Sequence, residues 1–272
     1  MIFSHKTIVE LFEQKGFSTH NEIEMFCLKH DFDIDLSEQV SVNKKITNMI
    51  KYVISEQISD DNLLEIAQDL ALEIFSDDEM FKDSLALFGR NRVYKKELLK
   101  NHLLLDGFNV LKGGLLETIF SRSIGEQKNE VQSLLEKYKS IFADSLLHIQ
   151  NAEKAFVKAE WGNAASNARK FIESLILDMS KYLNLDKKSN GENDSQNNMR
   201  QKLSLSNPPI LTQSNKFYDK EGKGLYNGYY NYLSLVGAHA GPHPEKEDVL
   251  LIFQTVYPIA LYQLNRFTKT II

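Results

Sequence analysis

Residues 229–248, YYNYLSLVGAHAGPHPEKED, gather three tyrosines, two histidines, two glycines and two prolines. His239 has the widest chemistry open to it, because an imidazole titrates near neutral pH and can give or take a proton. The surrounding GAHAG keeps its neighbours small, so a backbone or a substrate can come close. His239 and His243 stand four apart, a spacing that lets two imidazoles share a metal on one helix face. Gly241, Pro242 and Pro244 break such a helix, and no cysteine or third histidine is near, so no metal site is expected. Tyr229, Asn231, Tyr232 and His243 are the binding candidates around His239. Tyr226, Tyr229 and Tyr230 also read as core by helical spacing, with hydroxyls that need partners once buried.

Other chemistries are excluded by pattern. GFNVLKGG, residues 107–114, lacks both the Lys-Ser/Thr ending of a phosphate loop and the spacing of a dinucleotide fingerprint. No Gly-x-Ser-x-Gly elbow is present, and no cofactor is expected. GRNRVYKKELLKNH, residues 89–102, could touch phosphates, but it reads first as a solvated helix face. With 32 basic against 37 acidic residues, the net charge of -5 argues against binding nucleic acid through a broad basic surface. The single cysteine, Cys27, lies in apolar EIEMFCLKH and reads as a buried thiol. The remaining histidines, His5, His20, His30, His102 and His148, are isolated. No segment has the roughly 20 apolar residues that a membrane span needs, and the first residues show no apolar run with a cleavage site. A soluble, cytoplasmic protein is expected.

The elements that must position these residues read as helices. Ile8, Leu11 and Phe12 share a face. Thr19 followed by Glu22 forms a capping box ahead of Ile23, Phe26 and Cys27, with Glu22 reaching back to the capping amide. A third helix begins near Asn43, with Ile46, Met49, Ile50 and Val53 inward. SDDN, residues 59–62, caps a fourth that buries Leu63, Leu64, Ile66, Ala67, Leu70 and Ile74. Residues 99–120 suggest a helix ending at Asp106-Gly107, then one short hairpin through Gly113-Gly114. A polar stretch, 121–130, precedes one long helix over about 128–158. Its seam of Val131, Leu135, Tyr138, Phe142, Ser145, Ile149, Ala152 and Phe156 needs a partner helix, in this chain or in a second copy. Residues 161–185 make another strong helix. DKKSNGENDSQNNMRQKLSLSNPP is too poor in apolar residues to offset its ordering entropy, so a mobile loop is expected at about 186–206. Helices at about 214–235 and 245–270 flank the His239 turn. The fold class is all-α, with domains at 1–125 and 126–272 and at most one short hairpin between them.

The second half resembles a known family. AASNARKFIES with Arg169 and Glu173, the Gly-x-His-x-Gly turn of Gly237, His239 and Gly241, and the apolar last helix opened by acids are similar to the HEPN superfamily. The likeness is in particular to the C-terminal domain of bacterial abortive-infection proteins, and it covers about residues 135–272. It implies a HEPN-like helical bundle, a homodimer, and a protein partner from a defence system or an RNA substrate. Many such domains are metal-independent endoribonucleases that pair a histidine, moving the 2'-hydroxyl proton, with an arginine four to six residues away that stabilises the phosphorane. Here Tyr232, Leu233 and Ser234 stand where that arginine belongs. Arg169 on a facing helix is the substitute, although Arg169 and Glu173 at i, i+4 are equally an ion pair. The expectation is therefore an antiphage component with a partner-binding or regulatory HEPN-like domain. The alternative is an endoribonuclease toxin using His239.

Overall fold

The computed structural model describes residues 2–37, 39–55, 58–76, 89–119, 122–237 and 243–271, the side chains of 89–92 and 122–124 excepted. The described residues form eleven α-helices and one two-stranded hairpin. They divide into two compact units, Met1–Glu126 and Gln127–Ile272.

In the first unit, α1 (His5–Lys15), α2 (His20–Lys29), α3 (Val42–Ile54) and α4 (Asp60–Phe75) each start on a Ser or Thr side chain. That oxygen accepts an otherwise orphan amide of the first turn. Their apolar faces meet in one core that includes Ile8, Phe12, Ile23, Met49, Val53, Leu70 and Ile74. One detail departs from the sequence reading and a second lay beyond it. Glu22 reaches past the cap and accepts the amide of Ser18 at 2.9 Å, not that of Thr19. Lys45 is fully buried beside Met49, its ammonium donating to the Leu36 carbonyl at 2.5 Å and lying 3.5 Å from Glu24. Charge alone would have placed Lys45 outside, but its long stem packs while its head finds a carbonyl. Cys27 is buried, and burial pushes its thiol up to about 11.

Glu22 also carries a pH dependence. The Lys15 ammonium, hydrogen-bonded at 2.5 Å, and the Ser18 amide hold its carboxyl at about 2 against an ordinary 4.5. A depressed carboxylate contributes stability above its unfolded pKa and loses it as pH falls through the folded one. Acid unfolding of the first unit is therefore expected to lose part of its slope between about pH 5 and about pH 2 in Glu22→Gln. Parallel circular-dichroism titrations of the two proteins measure that difference. The effect is small, since the pair lies near solvent.

Helix α5 (Gly89–Leu105) ends at Asp106-Gly107. The Asp106 carboxylate then accepts the Ser4 amide at 2.8 Å and the Thr7 hydroxyl at 2.5 Å, tying the turn to the start of α1. Strands β1 (Phe108–Val110) and β2 (Leu116–Thr118) pair antiparallel, Phe108 opposite Thr118 and Val110 opposite Leu116. Gln68 of α4 holds this hairpin with both ends of its amide, donating to the Gly114 carbonyl at 3.0 Å and accepting from the Leu116 amide at 2.8 Å.

In the second unit the long helix expected over 128–158 is two. α6 (Arg122–Lys137) already includes most of the stretch read as a polar separator, and α7 (Lys139–Val157) follows a break at Tyr138, with Phe142 also off helical geometry. The seam is nonetheless buried at Val131, Leu135, Phe142, Ile149, Ala152 and Phe156. Its main partner is within the chain, α8 (Trp161–Tyr182), the helix with which α7 makes its most extensive contact. The polar seam position is explained too: Ser145 donates to Asp178 of α8 at 2.7 Å, and burial raises the Asp178 carboxyl above its ordinary range.

The stretch expected as a mobile loop contains α9 (Gln196–Leu205), capped by Ser195, with Met199, Arg200 and Leu203 buried. Of residues 186–206, only 186–195 and Ser206 lie outside a helix. α10 (Leu225–Val236) is shorter than expected, since 214–224 form turns that close through the Leu225 amide on the Lys216 carbonyl. α11 (Lys246–Ile271) completes the unit, Asp248 accepting the Glu245 amide at 3.0 Å to cap it. No helix among the described residues is long and apolar enough to cross a membrane.

Candidate functional site

The site is built on three helices of the second unit. On α8, Arg169 and Glu173 lie one turn apart, and the Arg169 Nε donates to the Glu173 Oε1 at 3.0 Å. On α10, Tyr226 and Tyr230 are again one turn apart, their rings stacked with centroids 6.5 Å apart and planes at 15°. The Tyr230 hydroxyl donates to the same Glu173 oxygen at 2.8 Å. α9 supplies the third part. The Arg200 guanidinium carbon lies 4.0 Å from the Tyr230 ring centroid, and its Nε donates to the Gln196 carbonyl at 3.1 Å. The Gln196 amide in turn donates to the Glu173 backbone carbonyl at 3.1 Å, anchoring α9 on α8.

Around this cluster lies a buried polar remainder. Tyr226 and Gln263 of α11 are both fully buried and lie close enough for the Gln263 amide to favour the Tyr226 phenolate, but neither the hydroxyl nor the amide makes a hydrogen bond of good geometry. Such groups cost free energy unless something satisfies them. Burial raises the phenols of Tyr218, Tyr226 and Tyr230 above the ordinary tyrosine range, and the Arg200 charge works against burial at each. At Tyr230 the Glu173 carboxylate adds to burial in keeping the proton on. These phenols therefore act as donors near neutral pH, not as bases.

The residues expected to act together separate into three groups. Arg169 and Glu173 pair, and they pair with Tyr230 and not with Tyr229 or Tyr232. Those two face α11 instead, the Tyr229 hydroxyl donating to the Ile252 carbonyl at 3.3 Å and the Tyr232 hydroxyl to the Asp248 carbonyl at 3.5 Å. Asn231 and His243 are exposed. His239 and Gly241 lie outside the described residues. Gly237 is placed: a methyl there would meet the Ala165 carbonyl oxygen of α8 at 3.0 Å, so its bare backbone lets α10 end against α8.

Arg200 escaped the sequence reading. Its helix offers two apolar residues on its buried face, Met199 and Leu203, and the available signal was Ser195 as a cap ahead of that i, i+4 pair. α9 also borders a shallow groove of about 350 Å³ lined in part by Leu183, Leu185, Leu205 and Lys202. The Lys202 ammonium there is held by Asp194 at 2.7 Å and carries no free charge. Among the described residues no group of three or more His, Cys, Asp or Glu side chains could hold a metal.

Since Glu173 helps keep the Tyr230 proton on, Glu173→Gln is expected to lower the Tyr230 pKa toward the ordinary value. An absorbance titration of tyrosinate in wild type and variant measures it, and a curve unchanged at every pH would break the assigned link. Comparison of the chain with family models, with curated proteins and with solved structures finds no match.

Proposed function

We propose that the chain is a bacterial antiphage component of the abortive-infection type, and that its C-terminal unit is a HEPN-like bundle that binds a partner or regulates, and does not cleave RNA. The defence and HEPN-like parts rest on the resemblance of residues 135–272, and one observation supports binding over cleavage: Arg169, the substitute for the arginine missing from 232–234, pairs with Glu173 at 3.0 Å. A guanidinium neutralised by a carboxylate one turn away has little charge left for a phosphorane, and Tyr230 locks that carboxylate in place at 2.8 Å. The reading includes a homodimer, a protein partner from the same defence system and residence in the cytoplasm. The alternative, a metal-independent endoribonuclease using His239, requires the Arg169 charge to be free.

A plaque assay tests the proposal. Cells carrying the chain with its neighbouring genes should reduce phage plating, and His239→Ala should keep that protection. Loss of protection in His239→Ala, with the protein present at wild-type level, would move the function to the ribonuclease. No protection from wild type would remove the defence reading.

A further inference from the structure

Arg200 stands in an unusual electrostatic position. The residue is 8% exposed, yet no carboxylate among the described residues lies within ion-pair reach of it. The nearby acid, Glu173, is spent on Arg169 and on the Tyr230 hydroxyl. Arg169 and Glu173 cancel, so the cluster keeps one positive charge without a counter-ion, on a side chain that is largely buried and reaches solvent only through its outer nitrogens. A largely buried cation without a counter-ion favours an anionic partner at the atoms it leaves accessible.

The geometry around Arg200 shows which atoms are left for that partner. Its Nε is tethered to the Gln196 carbonyl at 3.1 Å, and one face of the guanidinium is covered by the Tyr230 ring at 4.0 Å. The two outer nitrogens are neither hydrogen-bonded nor sealed from solvent. A fork held by its stem and its face, with both tines unpaired, matches two oxygens of one oxyanion. A lysine could not hold this orientation.

We propose that Arg200 anchors an oxyanion-binding site in the C-terminal unit, taking a carboxylate or phosphoryl group of a small ligand between α9 and α10. Arg169 and Glu173 lie at its edge and add no net charge. A site of this kind serves a partner-binding unit and a catalytic one equally, so it stands or falls apart from the function proposed above. The competing account is structural: Arg200 would hold α9 to α10 through Tyr230 and bind nothing.

Arginine side-chain nitrogen spectra of the full-length protein separate the two. Inorganic phosphate, acetate and chloride are titrated at matched ionic strength into wild type, Arg200→Gln and Arg169→Gln. The expected result is one guanidinium signal, absent from Arg200→Gln and present in Arg169→Gln, that moves saturably with phosphate or with acetate. The preference over chloride should be at least about ten-fold. A response to phosphate alone assigns a phosphoryl ligand, and one to acetate alone a carboxylate. A signal that moves equally with chloride, or that stays still with all three, overturns the site, as does a saturable response retained in Arg200→Gln. Should Arg200→Gln fail to fold, Arg200→Lys replaces it, and loss of the saturable response there gives the same assignment.

Discussion

Gly114→Ala is expected to destabilise the first unit by about 3 kcal/mol. Gly114 has φ +92°, a conformation that a side chain resists, and an added methyl would lie 2.4 Å from the Ala71 carbonyl oxygen and 2.8 Å from the Leu72 Cα of α4. Both obstacles are backbone, so no side chain can swing aside. The hairpin would have to lift from α4 and break the two Gln68 hydrogen bonds that hold it. Gly113 is the control. Its φ is +78° but nothing lies within 4 Å of the added methyl, so Gly113→Ala should cost the conformational strain alone, about 1 to 2 kcal/mol. Denaturant unfolding followed by circular dichroism measures both. The chain has a single tryptophan, Trp161, and it lies in the second unit. The lost transition should therefore be silent in tryptophan fluorescence. Equal effects for the two glycines would show that the contact with α4 is not what fixes Gly114.

Gly237→Val should destabilise the second unit by about 2 to 3 kcal/mol. A Cβ there would lie 2.8 Å from the Leu233 carbonyl oxygen and 3.0 Å from that of Ala165, again backbone on both sides. Its φ of -90° is ordinary, so the effect comes from crowding alone. Relief would move the end of α10 off α8, which also loosens the Tyr230 contact to Glu173. Trp161 fluorescence reports this transition directly. Gly228 on the same helix has open space around it, and Gly228→Ala should stabilise by up to about 1 kcal/mol through helix propensity. A Gly237→Val protein as stable as wild type would mean that α8 and α10 do not need their close approach.

Much of the fold was legible because periodicity and capping act locally. Thr19 and Ser59 cap helices as the sequence indicated, Ser4 and Ser41 cap two more, and the apolar positions three and four apart behind them face the core, Ile46, Ile50 and Leu64 only in part. The double glycine located the one hairpin. What local pattern could not supply was the partner of each polar group. Tyr138 looked like one more seam position, yet α6 and α7 separate there. α9 looked disordered by composition, because two buried apolar residues suffice for a helix that is also held by hydrogen bonds from Gln196 to the Glu173 carbonyl and from Lys202 to the Leu185 and Lys187 carbonyls. At the candidate site the pairing of Arg169 with Glu173 followed from their i, i+4 spacing. The choice of Tyr230 over Tyr229 and Tyr232 did not, since it depends on how α10 is rotated against α8. Arg200 was hidden for the same reason: its role is set by a ring on another helix.

The most direct test of the central claim is RNA integrity. Wild type and His239→Ala are induced in a bacterial host together with the neighbouring genes, with and without phage, and total RNA is sequenced for new 5' ends. The partner-binding reading predicts intact RNA and the same end pattern in both proteins. New ends that appear with wild type and vanish with His239→Ala would contradict it and establish the ribonuclease.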